Sequence, residues 1–507
     1  MASRRDELNA YTFAKRRTLA SFLQPSPSGS EEGAPKPLRA LWPGVIVGVV
    51  ILAVFGGIGM FSPTAPKGWD KAEEHVIVAS DSTTRYVVLK TDGQKQLHPV
   101  LNMASAKLLL DPGKAVVVTV DEKILDSGKP PHGATIGIPY APDRLPSADE
   151  AETAKRWAVC ERPGDGGRAI QKAAFVLAEK EFSRTAGANR LSGGDLMYVV
   201  GPDEKSRYVV DARGTAYRLA DPADTELLKA LDTQGREPQR VSREWLDTLH
   251  KGDPISIPEI DGTPGAKANA STGLEQYDKV GEVIKAYDGQ RMQYYVVLPG
   301  EVARISAFVA TLLLNSGDLV DVGQAGEAQQ VHPSAVADST TFAADRTWPT
   351  ARPKTVNDGA DATSGRNTVC NVLLSVGSKG RTTLSTWVGT DFPAQLPTGS
   401  SSAYVTPGSG QLYRQFQGTE TTAGGVFLVT DTGLRYALQS NSDSVTDDDG
   451  VGTSAKRREE ELNEAKIAQT RLGYEKVTPS PVPVQWSTFL PTGPRLSEAA
   501  ARQPQGS

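Results

Sequence analysis

The longest apolar run in the chain is LWPGVIVGVVILAVFGGIGMF, at positions 41–61, with no charged side chain in it. Helical at ~1.5 Å per residue, it reaches across a ~30 Å hydrocarbon core. Trp42 at one end, and Phe61 and Trp69 at or beyond the other, fit interfacial anchoring. A cleavable leader fits poorly, because forty residues precede the run and no A-x-A follows Met60. The pattern predicts one uncleaved transmembrane helix. Gly44 and Gly48 form G-x-x-x-G within it, and Gly56, Gly57 and Gly59 add small residues, which permits close helix packing.

Before the span, DELNAYTFAKRRTLASFL (6–23) reads as an amphipathic helix with Leu8, Phe13, Leu19 and Phe22 apolar and a Lys15-Arg16-Arg17 cluster between them. It serves either as a topogenic helix at the headgroups or as a docking helix for a partner. The Pro/Ser/Gly-rich stretch 21–37 reads as a linker.

After the span the periodicity changes. A β-branched run leads to a Gly or Asp turn, a short apolar return and a helical stretch. This order occurs at 85–110, 207–231 and 294–315, and more loosely at 426–440. A hairpin feeding a helix explains each occurrence. In the first, Leu101, Ala104, Leu108 and Leu109 make a helical face, and His98 sits where strand gives way to helix, in a structural position. WLDTLHKG (245–252) and WSTFLPTG (486–493) follow the second and fourth occurrences with Trp, a hydrophobe and Gly at the same spacing. Four small βα repeats are predicted. Strand-like runs at 371–376 and 382–389, joined by WAVC (157–160), predict a separate β-rich core.

The expected class is α+β: a single N-terminal transmembrane helix, then an elongated ectodomain of four βα repeats around a β-rich core. The boundaries are 1–40 for the cytoplasmic helix and linker, 41–61 for the span and 62–150 for repeat 1. A core segment follows at 151–194, then repeat 2 at 195–262, repeat 3 at 263–334, the core at 335–420 and repeat 4 at 421–496. Residues 497–507 read as a disordered tail.

Composition adds orientation and exclusions. The chain has 507 residues, too many for one core, and Gly (49) and Pro (34) imply many turns. Its net charge of −5 gives no basic footprint, which excludes nucleic acid as a partner. Arg4, Arg5, Lys15, Arg16, Arg17, Lys36 and Arg39 outnumber Asp6, Glu7, Glu31 and Glu32 ahead of the span. The positive-inside tendency therefore keeps the N-terminus in the cytoplasm and places the chain from Ser62 onward outside, in the cell membrane as a single-pass protein. Cys160 and Cys370 lie in that exported part, where an isolated pair forms a disulfide or remains as two buried thiols.

Catalytic signals are missing. The five histidines (His75, His98, His132, His250, His332) form no H-x-x-x-H, two cysteines make no zinc ribbon, and no G-x-S-x-G occurs. SVGSKGRTT (375–383), with Gly377, Lys379 and Thr382, lacks the phosphate-loop spacing and reads as a hairpin turn. Asp443 with Asp447, Asp448, Asp449 and Gly450 hints at calcium, but Val445 stands where an EF-hand needs a ligand. No catalytic, cofactor or metal residue is predicted.

An N-terminal helix before a lone span, LHPVLNMASAKLLL (97–110), GIPYAPDRLP (137–146), WAVC ending at Cys160, then Cys370 and the closing LGYEKVTPSPVPVQWSTFLPTGP (472–494), together resemble EccB over essentially the whole chain. EccB is the single-span membrane component of the actinobacterial type VII (ESX) secretion system. The resemblance implies a non-catalytic scaffold that joins EccC, EccD and EccE homologues in an inner-membrane complex, as a homo-oligomer, with energy from the EccC ATPase. It implies a bridge between the two cysteines. ATP hydrolysis is also ascribed to the family, which makes a nucleotide hydrolase the competing reading, although no Walker motif is present. Binding of cell wall through the repeats is compatible with the scaffold.

Overall fold

The computed structural model describes residues 3–23, 41–61, 64–91, 93–164, 169–270, 273–274, 276–324, 326–336, 339–359, 365–397, 402–439 and 455–505. Most of the expected linker, and the acidic run from Asp443 to Gly450, lie outside the described residues.

Two helices lead. α1 (Arg4–Leu23) carries Asp6 and Glu7 in its first turn, where negative charge suits the helix dipole. α2 (Leu41–Phe61) takes in the whole uncharged run. Its side chains are described from Leu41 to Phe55, and among the described residues no helix is long and apolar enough to cross a membrane.

Four sheets then follow one plan. In the first, β1 (His75–Ala79), β2 (Arg85–Thr91) and β3 (Gln94–Val100) form an antiparallel meander. α3 (Met103–Leu108) comes next, and β4 (Val116–Val120) returns parallel to β1. The helix starts where it does because Asn102 caps it, its side chain accepting from the Ser105 N–H at 3.0 Å. After α4 (Glu122–Leu125), residues 132–136 run parallel to β3 through the Leu97–His132 and Val100–Ile136 bridges.

α5 (Ala148–Glu152) and the hairpin β5 (Arg156–Pro163) and β6 (Ile170–Leu177) lead to the second sheet. There β7 (Asp195–Val200), β8 (Arg207–Asp211) and β9 (Thr215–Arg218) meander. α6 (Thr225–Ala230) follows, β10 (Gln239–Arg240) returns parallel to β7, and after α7 (Arg243–Leu246), β11 (His250–Lys251) runs parallel to β9.

The third sheet repeats this order. Its meander is β12 (Val283–Tyr287), β13 (Met292–Leu298) and β14 (Glu301–Ile305). α8 (Ala307–Leu314) precedes β15 (Gln329–Gln330), parallel to β12, and β16 (Thr340–Thr341), parallel to β14. β17 (Lys354–Thr355) then pairs with β7. β18 (Thr368–Val376), β19 (Thr382–Gly389) and β20 (Ala403–Val405) complete a central sheet in the order β19-β18-β5-β6-β20.

The fourth sheet has β21 (Gly410–Phe416), β22 (Val426–Thr430) and β23 (Arg435–Ala437), then α9 (Ala455–Arg471) and β24 (Ser480–Pro483) parallel to β21. After α10 (Val484–Ser487), Thr492 bridges Arg435 in parallel. α11 (Glu498–Ala501) is the last helix, and Pro504 beyond it bridges Ile136.

The central sheet is apolar on both faces, as period-two alternation of WAVC requires. Trp157 and Val159 join one cluster with side chains from the second and fourth sheets, including Met197, Trp245, Tyr413 and Trp486. Ala158 and Cys160 face the other way, with Phe175, Cys370 and Trp387. The second sheet packs its far face with the third, and the fourth packs with the first around α3.

Several expectations change. Residues 497–505 are not a disordered tail: α11 buries Ala501 fully, Arg471 pairs with Glu498 at 2.9 Å, and Gln505 donates to the Gly137 carbonyl at 2.8 Å. The fourth sheet starts at Gly410, inside the segment assigned to the core, and β16 lies beyond 334 yet belongs to the third sheet. Leu101 is exposed because it precedes the cap and stands outside α3, while Ala104, Leu108 and Leu109 are buried as the helical face requires.

Candidate functional site

The side chains with unusual chemistry gather on one face of the central sheet, where the second and fourth sheets meet it. β5 alternation puts Glu161 on the same face as Trp157 and Val159, fully buried. Its carboxylate accepts the Ser242 N–H at 2.8 Å and the Ser242 hydroxyl at 2.5 Å. Ser242 caps α7, its Oγ accepting from the Trp245 N–H, and the Trp245 indole N–H donates to the Val159 carbonyl at 3.1 Å. Burial pushes the Glu161 carboxyl up, and the two Ser242 hydrogen bonds oppose that shift. Asn371 on β18 donates to the Thr248 carbonyl at 2.8 Å, closing the same joint one strand over.

The fourth sheet engages through a matching aromatic group. The Trp157 indole donates to Gln411 Oε1 at 2.9 Å, and its ring meets Tyr413 edge-on, centroids 5.2 Å apart. Tyr413 Oη lies 2.8 Å from Ser487 Oγ on α10, which also takes a hydrogen bond from Arg435 at 3.2 Å. Complete burial pushes the Tyr413 phenol up to about 12. Each polar side chain in this description bonds to another part of the protein, although Asn371 Oδ1 is buried without a partner, which makes a joint and not an open cleft.

Cys160 and Cys370 are bridged, directly opposed on β5 and β18 with Cα atoms 4.0 Å apart. They are 210 positions apart in sequence but neighbours in one sheet, so the bond clamps the central sheet itself.

His98 occupies a recurring place. It opposes Val87 in the meander, as Tyr217 opposes Val209 and Tyr436 opposes Leu428. On the other side each ring meets a glycine of the parallel edge segment: Gly133, Gly252 or Gly493, where any Cβ would overlap the ring. This accounts for the glycine shared by WLDTLHKG and WSTFLPTG. In the third sheet the place is taken by Ala303, and Thr340 stands opposite. His98 is buried, its Nδ1 2.9 Å from the Ala134 carbonyl oxygen, so it fills a packing position.

The remaining sequence candidates do not converge on this joint. SVGSKGRTT is the β18–β19 hairpin turn, with Lys379 in a left-handed conformation. No group of three or more His, Cys, Asp or Glu able to hold a metal occurs among the described residues. On α1, Leu8, Phe13, Leu19 and Phe22 are all exposed. At ~100° per residue Leu8, Tyr11, Leu19 and Phe22 fall within about 80° of one another, Lys15 falls inside that stripe, Arg16 about 60° beyond its edge, and Phe13 and Arg17 point elsewhere. A Cβ on Gly44 or Gly48 of α2 meets no atom within 4 Å.

Sequence reading missed Glu161, Ser242, Gln411 and the ring–glycine pairs. The Ser242-x-x-Trp245 cap and the shared Trp-to-Gly spacing were the available signals. Glu161 had none, since one acid after WAVC looks like any strand-end charge.

The chain matches, over residues 1–506, the family described as type VII secretion system ESX-1, transport TM domain B. A Mycobacterium tuberculosis protein named ESX-3 secretion system ATPase EccB3 is 28% identical over 500 residues, covering 92% of this chain and 83% of that protein. The Mycolicibacterium smegmatis protein of the same name is 27% identical over 485 residues, covering 92% and 84%. Among solved structures, an intact ESX-5 inner membrane complex contains a chain that aligns with TM-score 0.56 at 21% identity, over 100% of this chain and 96% of that one. An EccB3 dimer from the ESX-3 core complex aligns with TM-score 0.54 at 22% identity, over 84% and 99%.

Proposed function

The chain belongs to the EccB family of type VII secretion, and from that premise we propose that it is a non-catalytic structural component of an ESX inner-membrane complex. In this reading α2 is its single membrane span, α1 lies on the cytoplasmic side, and the rest is an extracytoplasmic scaffold of four βα repeats on a disulfide-clamped core. The observation that carries the proposal is the joint itself. Glu161, Ser242, Trp157 and Tyr413, the groups with the most unusual chemistry, are buried and engaged in holding sheets together. The span rests on 41–61, an uncharged helix whose described apolar side chains are exposed. The repeat reading rests on the common order of meander, helix and two parallel edges.

Partners follow from the same premise: EccC, EccD and EccE homologues in the membrane, and further copies of this chain, in keeping with the dimer described for the EccB3 relative. The names of the relatives favour a second reading, ATP hydrolysis. Against it, SVGSKGRTT joins two strands, whereas a phosphate loop leads from a strand into a helix.

The test is a pulldown of tagged full-length protein from membranes in mild detergent, beside a version lacking residues 1–40. Recovery of the three homologues with the first and their loss with the second supports the scaffold. Failure of both, together with ATP hydrolysis by the purified chain that a metal chelator abolishes, overturns it.

A further inference from the structure

The chain joins the first sheet almost as soon as it leaves α2. Phe61 is the last residue of that helix, and only Ser62 and Pro63 separate it from Thr64. The Thr64 carbonyl accepts the Asp121 N–H at 3.2 Å, and Ala65 and Trp69 pack against the cluster of Ile77, Val88 and Val120. A helix of 21 residues is about 31 Å long, so α2 as the span crosses the hydrocarbon core and leaves Phe61 at its boundary. Three residue steps reach at most about 11 Å further, and the headgroup layer on each side is about 5–8 Å deep. Thr64, and Asp121 with it, therefore lies within the headgroups or just beyond them.

Asp121 marks one end of the sheet. Pairing sets Thr119, Val78, Arg85, Val100 and Ile136 in one row, about 19 Å wide, across that end. The β1–β2 turn, Leu101 and Gly137 lie just past the row. Beyond Gly137 the chain presents Tyr140, 88% exposed and at φ 61°. A bulky side chain is an outlier in that left-handed conformation, which glycine suits better. The loop is nevertheless fixed on both sides of the ring. The Ile138 N–H donates to Ser105 Oγ at 2.8 Å, and its carbonyl accepts from Asn102 Nδ2 at 2.7 Å. After the ring, the Asp143 carboxylate accepts from the Met103 N–H at 3.0 Å. Leu101, 43% exposed, lies against Gly137. A strained, exposed ring and an exposed leucine thus stand at the end of the sheet that the short tether holds at the membrane.

We propose that this end of the first sheet is a second membrane contact, seated on the outer leaflet with Tyr140 and Leu101 in the lipid interface. This rests on the reading of α2 as the span. A tyrosine suits the place, because its ring meets the acyl boundary while its hydroxyl stays among the headgroups. The charges beside it are paired, Arg85 with Asp143 at 2.6 Å and Arg144 with Asp431 at 3.8 Å, so a zwitterionic surface suffices. Two points of support, the span and this contact, fix the tilt of the ectodomain over the bilayer. A tether alone leaves it free to swivel.

The test uses the full-length chain in phosphatidylcholine vesicles, at no more than one chain per vesicle. Leu101→Cys and Val320→Cys, the latter in the third repeat and also exposed, each carry an NBD fluorophore, while both native cysteines are bridged and buried. Lipids with a nitroxide near the headgroup end of the acyl chain are expected to quench the probe at Leu101→Cys several-fold more than the probe at Val320→Cys. Adding Tyr140→Gly should roughly halve the quenching at Leu101→Cys without lowering the melting temperature, because glycine relieves the backbone at φ 61°. Equal quenching at the two positions, in chains that resist carbonate extraction, overturns the contact and leaves the span standing. Quenching that Tyr140→Gly leaves unchanged overturns the assignment to this ring. A blue shift at Leu101→Cys that appears only when several chains share a vesicle assigns the surface to a protein neighbour and overturns the lipid contact. Extraction of the native chain by carbonate overturns the span and the contact together.

Discussion

Gly133 and His98 touch across a parallel strand pair so closely that a Cβ on the glycine would overlap the imidazole. Gly133→Ala therefore forces the ring out of its buried place, at a cost of about 1–3 kcal/mol. His98→Tyr should cost less than His98→Ala, because a tyrosine fills the same place over Gly252 and Gly493. Urea midpoints of the three variants check this order. Equal losses for Tyr and Ala would mean that the Nδ1 contact to Ala134, and not ring packing, is what His98 supplies.

Most of the local order was legible in the sequence. The hairpins at 85–110, 207–231 and 294–315, the helices that follow them, and the uncharged helix at 41–61 all stand where periodicity put them. What was not legible was pairing over distance. Nothing near Gly410 marks it as the start of a sheet rather than part of the core, because β20 and β21 both read as strands and only their partners assign them to different sheets. The joint was half visible. The two Trp-to-Gly segments stood out, but Glu161 becomes unusual only when Ser242, 81 positions away, is brought against it.

The C-terminal segment is a second case in which composition misled. SEAAARQPQGS is small and polar, yet Ser497 caps α11, Ala501 is fully buried, and Arg471 holds Glu498 while donating to the Leu110 carbonyl at 2.7 Å. Truncation after Leu496 is expected to lower the melting temperature by several degrees and to expose α3, against which α11 packs. Proteolysis near residues 103–110 should quicken in the truncated chain. An unchanged melting curve would return these residues to the status of a tail.

The Cys160–Cys370 bond joins directly opposed residues of adjacent strands and both cysteines are fully buried, so a reductant must wait for the sheet to open. Thiol labelling of the native protein in dithiothreitol should stay near zero until denaturant is added. The double variant Cys160→Ala/Cys370→Ala should fold, because both faces of the sheet remain apolar, with a loss of about 2–5 kcal/mol in denaturant unfolding. Ready reduction without denaturant would place the bond in a part of the chain that opens on its own.

Glu161 makes the joint sensitive to pH in a direction that can be worked out. Burial raises its pKa in the folded chain, so the folded state keeps the proton to a higher pH than the unfolded state does. Such a group contributes its full stability below the ordinary carboxylate range near 4.3, and the contribution is lost as pH rises through the raised value. Lys172 and Glu244 are the charges that bear on it, and they act in opposite directions. Unfolding free energies of the native chain and of Glu161→Gln, measured from pH 4 to pH 8, should therefore diverge. The difference between native and variant should fall with rising pH and then level off once the carboxyl is ionised in both states. Ser242→Ala removes the hydroxyl donor to the carboxylate and should shift the fall to higher pH. A difference that is flat across the range would mean that Glu161 enters the joint with an ordinary pKa.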